Sequence, residues 1–166
     1  MIVQMFSLLK NHNPCAGYAV GRYTLQKLRE RIMDDLKLAD RLLQDYKLSN
    51  LKKENPTWPH EVNRSLAFIN INLFKVKLSI EYMREYCNVP QKNFSTRFKR
   101  YVGKVPSSYV VYHRVEAAKI LIDNDLFDLT IGDIGWIVGY EKPSSFATIF
   151  KSKVGLSPLR WKKRDI

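Results

Sequence analysis

Apolar residues in this chain recur at intervals of three or four, the spacing that places them on one face of an α-helix. The clearest cases are two pairs separated by four residues, Phe94 with Phe98 and Phe146 with Phe150. Alternating apolar and polar positions, typical of a half-buried strand, do not persist beyond a few residues. The pattern therefore predicts an all-α body from about residue 58 to residue 164.

An internal repeat divides this helical region into two similar units. The segment 94–106, FSTRFKRYVGKVP, aligns with the segment 146–158, FATIFKSKVGLSP, at a constant offset of 52 residues. The two segments are identical at 7 of 13 positions, far more than chance would give. Such self-similarity at a fixed offset indicates a duplicated structural unit.

Each unit is predicted to be a helix, a tight turn and a second helix. Ser79 and Thr130 are suitable N-caps for the first helix of each unit, because their hydroxyls can accept a hydrogen bond from a backbone N–H group in the first helical turn. Asn88 and Gly139 follow these helices, and both residue types tolerate the left-handed conformation of a sharp turn. This order of elements is that of the helix-turn-helix motif, and the second turn is expected to be one residue longer than the first.

Three further helices are predicted, and two of them frame the repeated units. One covers about 61–74, and another, about 107–124, joins the two units. A third, longer helix covers about 24–48, with Thr24 as its expected cap, and the segment 55–59 (NPTWP) has the composition of a linker. The apolar stripe of the 24–48 helix allows two interpretations, a dimer seam or packing on its own domain. We favour packing, because fewer than four clean heptads are present.

Charge narrows the function classes. The chain of 166 residues carries 28 Lys and Arg against 16 Asp and Glu, a net charge of +12, which favours a polyanionic partner.

The two cysteines, Cys15 and Cys87, form no metal-binding or disulfide pattern. The apolar start, Met1–Leu9, lacks the basic region of a secretory signal and no membrane span is predicted, so we expect a cytoplasmic protein.

Two stretches resemble the DNA-binding domain of AraC/XylS-type transcription regulators. They are RVEAAKIL at 114–121 and IGDIGWIVGYEKPSSFATIFKSKVGLSPLRW at 131–161. The resemblance covers about residues 61–163 and implies a seven-helix domain in which two helix-turn-helix motifs are joined by one long helix. The chain then divides into an N-terminal helical extension, 1–57, and the double helix-turn-helix domain, 58–166. Arg84 departs from the small residue usual there, which predicts either a looser first motif or an outward-pointing Arg84 side chain.

Candidate DNA-binding residues follow from helix geometry, since the face opposite each phenylalanine pair must point outwards. The second helices of the two motifs, predicted near 90–101 and 142–153, are expected to enter successive major grooves, and the segments 88–104 and 142–164 contain no acidic residue. The candidates on these helices are Lys92, Asn93, Thr96, Lys99 and Arg100 in the first motif, and Lys142, Ser144, Ser145, Thr148 and Lys151 in the second. The resemblance adds Ser95.

The two motifs are predicted to contribute differently to DNA binding. The first motif offers residues long enough to reach base edges, where Lys pairs with guanine and Asn with adenine; they are Lys92, Asn93, Thr96 and Arg100. Ser144 and Thr148 are short, so the second motif is expected to bind phosphates, mainly through Lys142, Lys151 and the basic run 162–164.

We therefore predict a sequence-specific regulator of transcription that binds double-stranded DNA. The three histidines are isolated, and the chain has no HExxH, GxSxG or P-loop sequence, so we expect neither an enzyme, nor a cofactor, nor a metal site. The alternative is an interaction protein that binds a partner through the N-terminal helix and binds DNA weakly or without sequence preference. Its partners could be RNA polymerase or, through the 24–48 helix, a second copy of the chain.

Overall fold

The computed structural model describes residues 19–89, 92–126 and 128–164, with side chains described from residue 25 onwards. This part of the chain contains eight helices and no strand, which confirms the all-α prediction. The helices are α1 (Ala19–Asn50), α2 (His60–Asn72), α3 (Ile80–Tyr86), α4 (Phe94–Val102), α5 (Pro106–Ile122), α6 (Ile131–Ile137), α7 (Pro143–Val154) and α8 (Pro158–Lys162).

Two hydrophobic cores lie on either side of the joining helix α5. The first core packs α2, α3 and α4 against the start of α5, with Phe98 and Tyr109 fully buried within it. The second packs α6, α7 and the rest of α5 around Phe146 and Phe150. Each helix-turn-helix unit thus has its own core, and α5 contributes to both of them.

The long helix α1 starts earlier than the sequence predicts. Thr24 lies inside the helix, so its assignment as the N-cap is wrong; a capping residue needs non-helical backbone, and here the helix already includes Ala19. The second half of α1 buries Ala39, Leu43 and Tyr46 in the second core. Packing of the helix on its own domain is therefore confirmed for this half.

A buried hydrogen bond joins α1 to α5. The hydroxyl of Tyr46 lies 2.7 Å from Nδ1 of His113. Burial, with a smaller contribution from the positive charge of Lys104, lowers the pKa of His113 to about 4, whereas burial raises the pKa of Tyr46. At neutral pH the His113 ring is therefore neutral, and its tautomer decides whether Nδ1 accepts a proton from the Tyr46 hydroxyl or donates one to it.

The turns of the two motifs have the same hydrogen bonds. Asn88 has φ 45° and Gly139 has φ 98°, so both adopt the left-handed conformation that the sequence predicts. In each turn the next residue donates its N–H to a carbonyl five residues earlier: Val89 to Arg84 and Tyr140 to Gly135, both at 2.9 Å. This arrangement is the Schellman motif, which ends the first helix and redirects the chain into the second.

The expected N-caps of the two motifs are confirmed, unlike that of the long helix α1. The Ser79 hydroxyl accepts a hydrogen bond from the backbone N–H of Tyr82. Thr130 forms a complete capping box with Asp133, because each side chain accepts a hydrogen bond from the backbone of the other residue. The first helix of each motif therefore begins where the sequence predicts.

The two motifs differ where their helices approach each other. A Cβ atom on Gly135 would lie 2.8 Å from the ring of Phe146, so only glycine fits this contact without a shift. In the first motif the corresponding residue is Arg84, whose side chain is half-buried. Its Nε is buried without a hydrogen-bond partner, so the guanidinium does not extend freely into solvent.

Candidate nucleic-acid interface

The second helices of the motifs, α4 and α7, each bury one phenylalanine pair and expose the opposite face. Phe98, Phe146 and Phe150 have no exposed surface, and Phe94 is 2% exposed. Both helices end at a glycine with positive φ, Gly103 at 92° and Gly155 at 86°, where a residue with a Cβ would be strained. The repeat in the sequence therefore corresponds to two helices with the same buried stripe and the same C-terminal end.

The candidate residues all lie on the surface. They are exposed without exception, as expected for groups that contact DNA: Lys92, Asn93, Ser95, Thr96, Lys99, Arg100, Lys142, Ser144, Ser145, Thr148 and Lys151. The helix predicted near 142–153 is observed as Pro143–Val154, with Lys142 at its N-cap.

The first of these helices begins later than predicted. It starts at Phe94 rather than near residue 90, so Lys92 and Asn93 precede α4 and do not lie on its outer face. Residues 90 and 91 are outside the described part of the chain. The reason is the backbone of Asn93, whose φ of 64° is left-handed and cannot belong to a right-handed helix. Lys92 and Asn93 therefore approach any ligand from the turn at the N-terminus of α4.

Two basic side chains in these segments have partners within the protein. Arg97 of α4 forms an ion pair with Glu61 of α2. Arg164 pairs with Asp123 at 2.9 Å, and its guanidinium lies 3.5 Å from the centre of the Trp161 ring. Because Arg164 is engaged in this way, the exposed members of the basic run 162–164 are Lys162 and Lys163.

One buried arginine connects the segment after α2 to the turn of the second motif. Arg114 of α5 donates from Nε to the carbonyl of Leu73 at 2.8 Å and from Nη2 to that of Lys75 at 2.9 Å, both just after α2. Its Nη1 donates to the carbonyl of Gly139, in the turn of the second motif, at 2.8 Å. The sequence places Arg114 in a family-like stretch, but nothing in the spacing indicates these three acceptors, which come together only in the folded chain.

Comparison with known proteins identifies the double motif. Residues 84–164 match a family model described as a helix-turn-helix domain. The fold superposes on the C-terminal domain of AraT, a response regulator from Geobacillus stearothermophilus, with a TM-score of 0.58 and 27% identity, covering 66% of this chain and 90% of that one. Residues 84–164 therefore form a helix-turn-helix domain that is similar to AraC-type DNA-binding domains. The resemblance seen in the sequence is confirmed.

Curated relatives match this helix-turn-helix domain and extend well beyond the matched region. The chain is 28% identical to the MmsAB operon regulatory protein of Pseudomonas aeruginosa over 88 residues, 53% of this chain and 28% of the relative. It is 31% identical to the bifunctional transcriptional activator/DNA repair enzyme AdaA of Bacillus subtilis over 118 residues, 70% of this chain and 53% of the relative. The chain thus spans about half or less of these relatives. None of the helices in the described segments is long and apolar enough to cross a membrane.

Proposed function

We propose that this chain is a sequence-specific regulator of transcription whose helices α4 and α7 enter successive major grooves of double-stranded DNA. The observation that carries the proposal is the pair of equivalent helices, each with an exposed polar face in an acid-free segment, 92–104 and 142–164. Basic segments of this kind suit the phosphate backbone, because their Lys and Arg side chains attract it and they carry no carboxylate of their own. The proposal assigns the chain no catalytic step.

The joining helix supports simultaneous use of both motifs. Helix α5 has 17 residues, which corresponds to about 25 Å at 1.5 Å per residue. Successive major grooves on one face of DNA are about 34 Å apart. With the additional reach of the helices at each end of α5, one chain can span both grooves and occupy an asymmetric site.

The side chains predict different contributions from the two motifs. Lys92, Asn93 and Arg100 are long and exposed at and beside α4, and they suit contacts with base edges. The outer face of α7 carries Ser144 and Thr148, which are short, and the cations Lys142 and Lys151 suit phosphate contacts. We assign most base discrimination to the first motif and much of the backbone binding to the second.

Selection of bound duplexes from a random pool tests this function. We expect an enriched sequence that the protein binds far more tightly than random duplex in a competition assay. The log–log slope of affinity against salt concentration should be about −5 to −7 for six to eight neutralised phosphates. A slope shallower than about −2 would contradict the electrostatic argument, and no enriched sequence would contradict specificity. Enrichment without competition against random duplex would favour a general nucleic-acid binder.

Two lysine variants test the division between the motifs. Lys92→Ala should relax preference at one or two base pairs, by about 1–3 kcal/mol against the best site. Lys151→Ala should weaken cognate and random DNA equally and reduce the salt slope by about one. Lys27→Ala, an equal charge change on α1, is the matched control. Reversed results would exchange the roles of the two motifs.

The first half of α1 supports a second candidate function, association through this helix. Leu25 and Leu28 are 43% and 46% exposed, although they continue the apolar stripe that is buried further along, and Met33 is 41% exposed in the same half of the helix. A second copy of the chain is the partner we favour, and RNA polymerase is the alternative. Sedimentation of the wild type and of Leu25→Glu/Leu28→Glu tests this, since a dimer that needs this face becomes monomeric in the variant while the melting temperature stays unchanged.

A further inference from the structure

A basic groove lies between the two helix-turn-helix motifs, and it shares Lys99 with the outer face of α4. Its volume is about 380 Å³. The wall residues come from three helices and the connection after α4, so the groove exists only in the folded domain. Those that matter here are Lys99, Lys104, Ser108, Tyr112, Glu116 and Lys153.

Positive charge dominates this groove. Lys99, Lys104 and Lys153 are all exposed, and none of them takes part in the ion pairs found in the described part of the chain. The one carboxylate in the wall, Glu116, is held by Lys119 of the next helical turn, with 2.7 Å between Nζ and Oε2. The three lysine charges are therefore available to an anion, and the carboxylate charge is largely neutralised.

The position of Lys104 in the groove is fixed by a contact with the α5 wall. The Nζ of Lys104 lies 4.4 Å above the centre of the Tyr112 ring, a cation–π contact that holds the ammonium group over α5. The Ser108 hydroxyl, one helical turn from Tyr112, provides a hydrogen-bond donor on the same wall. A lysine flanked by a hydroxyl donor suits a phosphate oxygen better than it suits a planar base or an apolar side chain.

The position of the groove indicates which phosphate it meets. Lys104 directly follows Gly103, which ends α4, and Lys153 lies in the last turn of α7. The groove thus occupies the interval between the two helices assigned to successive major grooves. When both helices are inserted on one face of the duplex, the sugar-phosphate backbone that separates the two major grooves passes in front of this interval.

We infer that Lys104 and Lys153, with Lys99 and Ser108, bind the DNA backbone phosphates that lie between the two major-groove contacts. The inference rests on the proposed DNA-binding function and adds a third contact region, which continues from the outer face of α4 at Lys99 to Lys104, Ser108 and Lys153. Phosphate contacts of this kind fix the register of the protein on the duplex and contribute no base preference.

Chemically neutralised phosphates provide the test. The probe is a duplex recovered by the random-pool selection, carrying one uncharged methylphosphonate at a time across the site. In the wild type, substitution between the two enriched blocks should weaken binding about three- to tenfold at 0.1 M salt. In Lys104→Ala/Lys153→Ala the same substitution should have almost no further effect, and the log–log salt slope should be smaller by about two. Both lysines are exposed, and an unchanged melting temperature verifies the fold.

Three results would overturn the inference. The first is a wild type that is insensitive to methylphosphonates between the blocks but sensitive at the blocks. The second is a double variant whose salt slope equals that of Lys27→Ala. The third combines two observations: inorganic phosphate at constant ionic strength stabilises the wild type but not the variant, and no methylphosphonate weakens binding. That result would assign the groove to a small anion. Failure of the proposed function is distinct, because then no sequence is enriched at all.

Discussion

Gly139 and Arg114 are in direct contact, and the arginine side chain fills the space that a side chain at residue 139 would need. The carbonyl of Gly139 accepts a 2.8 Å hydrogen bond from Arg114 Nη1. A Cβ atom on Gly139 would come within 2.7 Å of Arg114 Cζ. The turn of the second motif and the side chain that connects it to the end of α2 are thus one packed unit.

The first prediction is that the cost of Gly139→Ala depends on Arg114. In the wild type the alanine suffers both a positive φ and a clash, so we expect the free energy of unfolding to fall by about 2–4 kcal/mol. In an Arg114→Ala background the clash is gone and only the backbone cost of about 1–2 kcal/mol remains. A double-mutant cycle by denaturant unfolding measures this coupling. Equal costs in both backgrounds would mean that the contact does not restrict residue 139.

A second prediction compares the corresponding positions in the two motifs. Gly135→Ala should cost about 1–3 kcal/mol, because its Cβ would press against the Phe146 ring at 2.8 Å. Arg84→Ala should cost less than 1 kcal/mol or even stabilise, because it removes a buried Nε that has no partner. Thermal and chemical unfolding of both variants measure the difference. A larger loss from Arg84→Ala than from Gly135→Ala would contradict the packing described here.

A third prediction concerns the aromatic anchors. Phe98 and Phe150 are fully buried, so either Phe→Ala change should lower the free energy of unfolding by about 3–5 kcal/mol. Leu159 is 53% exposed and serves as a control, with an expected loss below about 0.5 kcal/mol for Leu159→Ala. Unchanged melting temperatures for both phenylalanine variants would show that these rings do not anchor α4 and α7.

A fourth prediction follows from the low pKa of His113, about 4, against about 6.5 in the unfolded chain. Between these values the unfolded chain binds a proton that the folded chain does not, so stability falls as the pH falls through this window. From pH 7 to pH 5 the loss due to His113 should be about 2 kcal/mol.

The matched variant is His113→Gln, whose amide can donate a hydrogen bond to the Tyr46 hydroxyl or accept one from it and cannot titrate. Its stability should decline less than that of the wild type over the same pH interval, by the amount attributed to His113. Parallel stability curves for the two proteins would contradict the assignment of a neutral, buried His113.

Local patterns in the sequence predict most of the helices. The phenylalanine stripes, the capping residues Ser79 and Thr130 and the turn residues Asn88 and Gly139 all act within a few positions, so each can be recognised without knowing the fold. The start of α4 could not be predicted in this way. Asn is compatible with a helix as well as with a left-handed backbone, and the sequence does not indicate that Asn93 adopts the latter.

The site is predictable only in part, for a related reason. Exposure of the candidate residues follows from the buried stripes, whereas partners from distant segments do not. The pairing of Arg97 with Glu61 spans 36 residues, and the three acceptors of Arg114 come from segments before and after α5. The groove that brings Lys104 near Lys153 likewise depends on how α4 and α7 pack along α5. Such relationships are properties of the tertiary structure.

The most direct test of the central claim, that α4 and α7 of one chain occupy successive major grooves, is affinity against spacing. The duplex from the random-pool selection is varied by inserting or removing base pairs between its two enriched blocks. We predict the tightest binding with the block centres about one helical turn, 10–11 base pairs, apart, and a loss of at least tenfold when five base pairs are inserted, because the second block then lies on the opposite face. Affinity that does not change with spacing, or a selected site with only one block, would contradict the account.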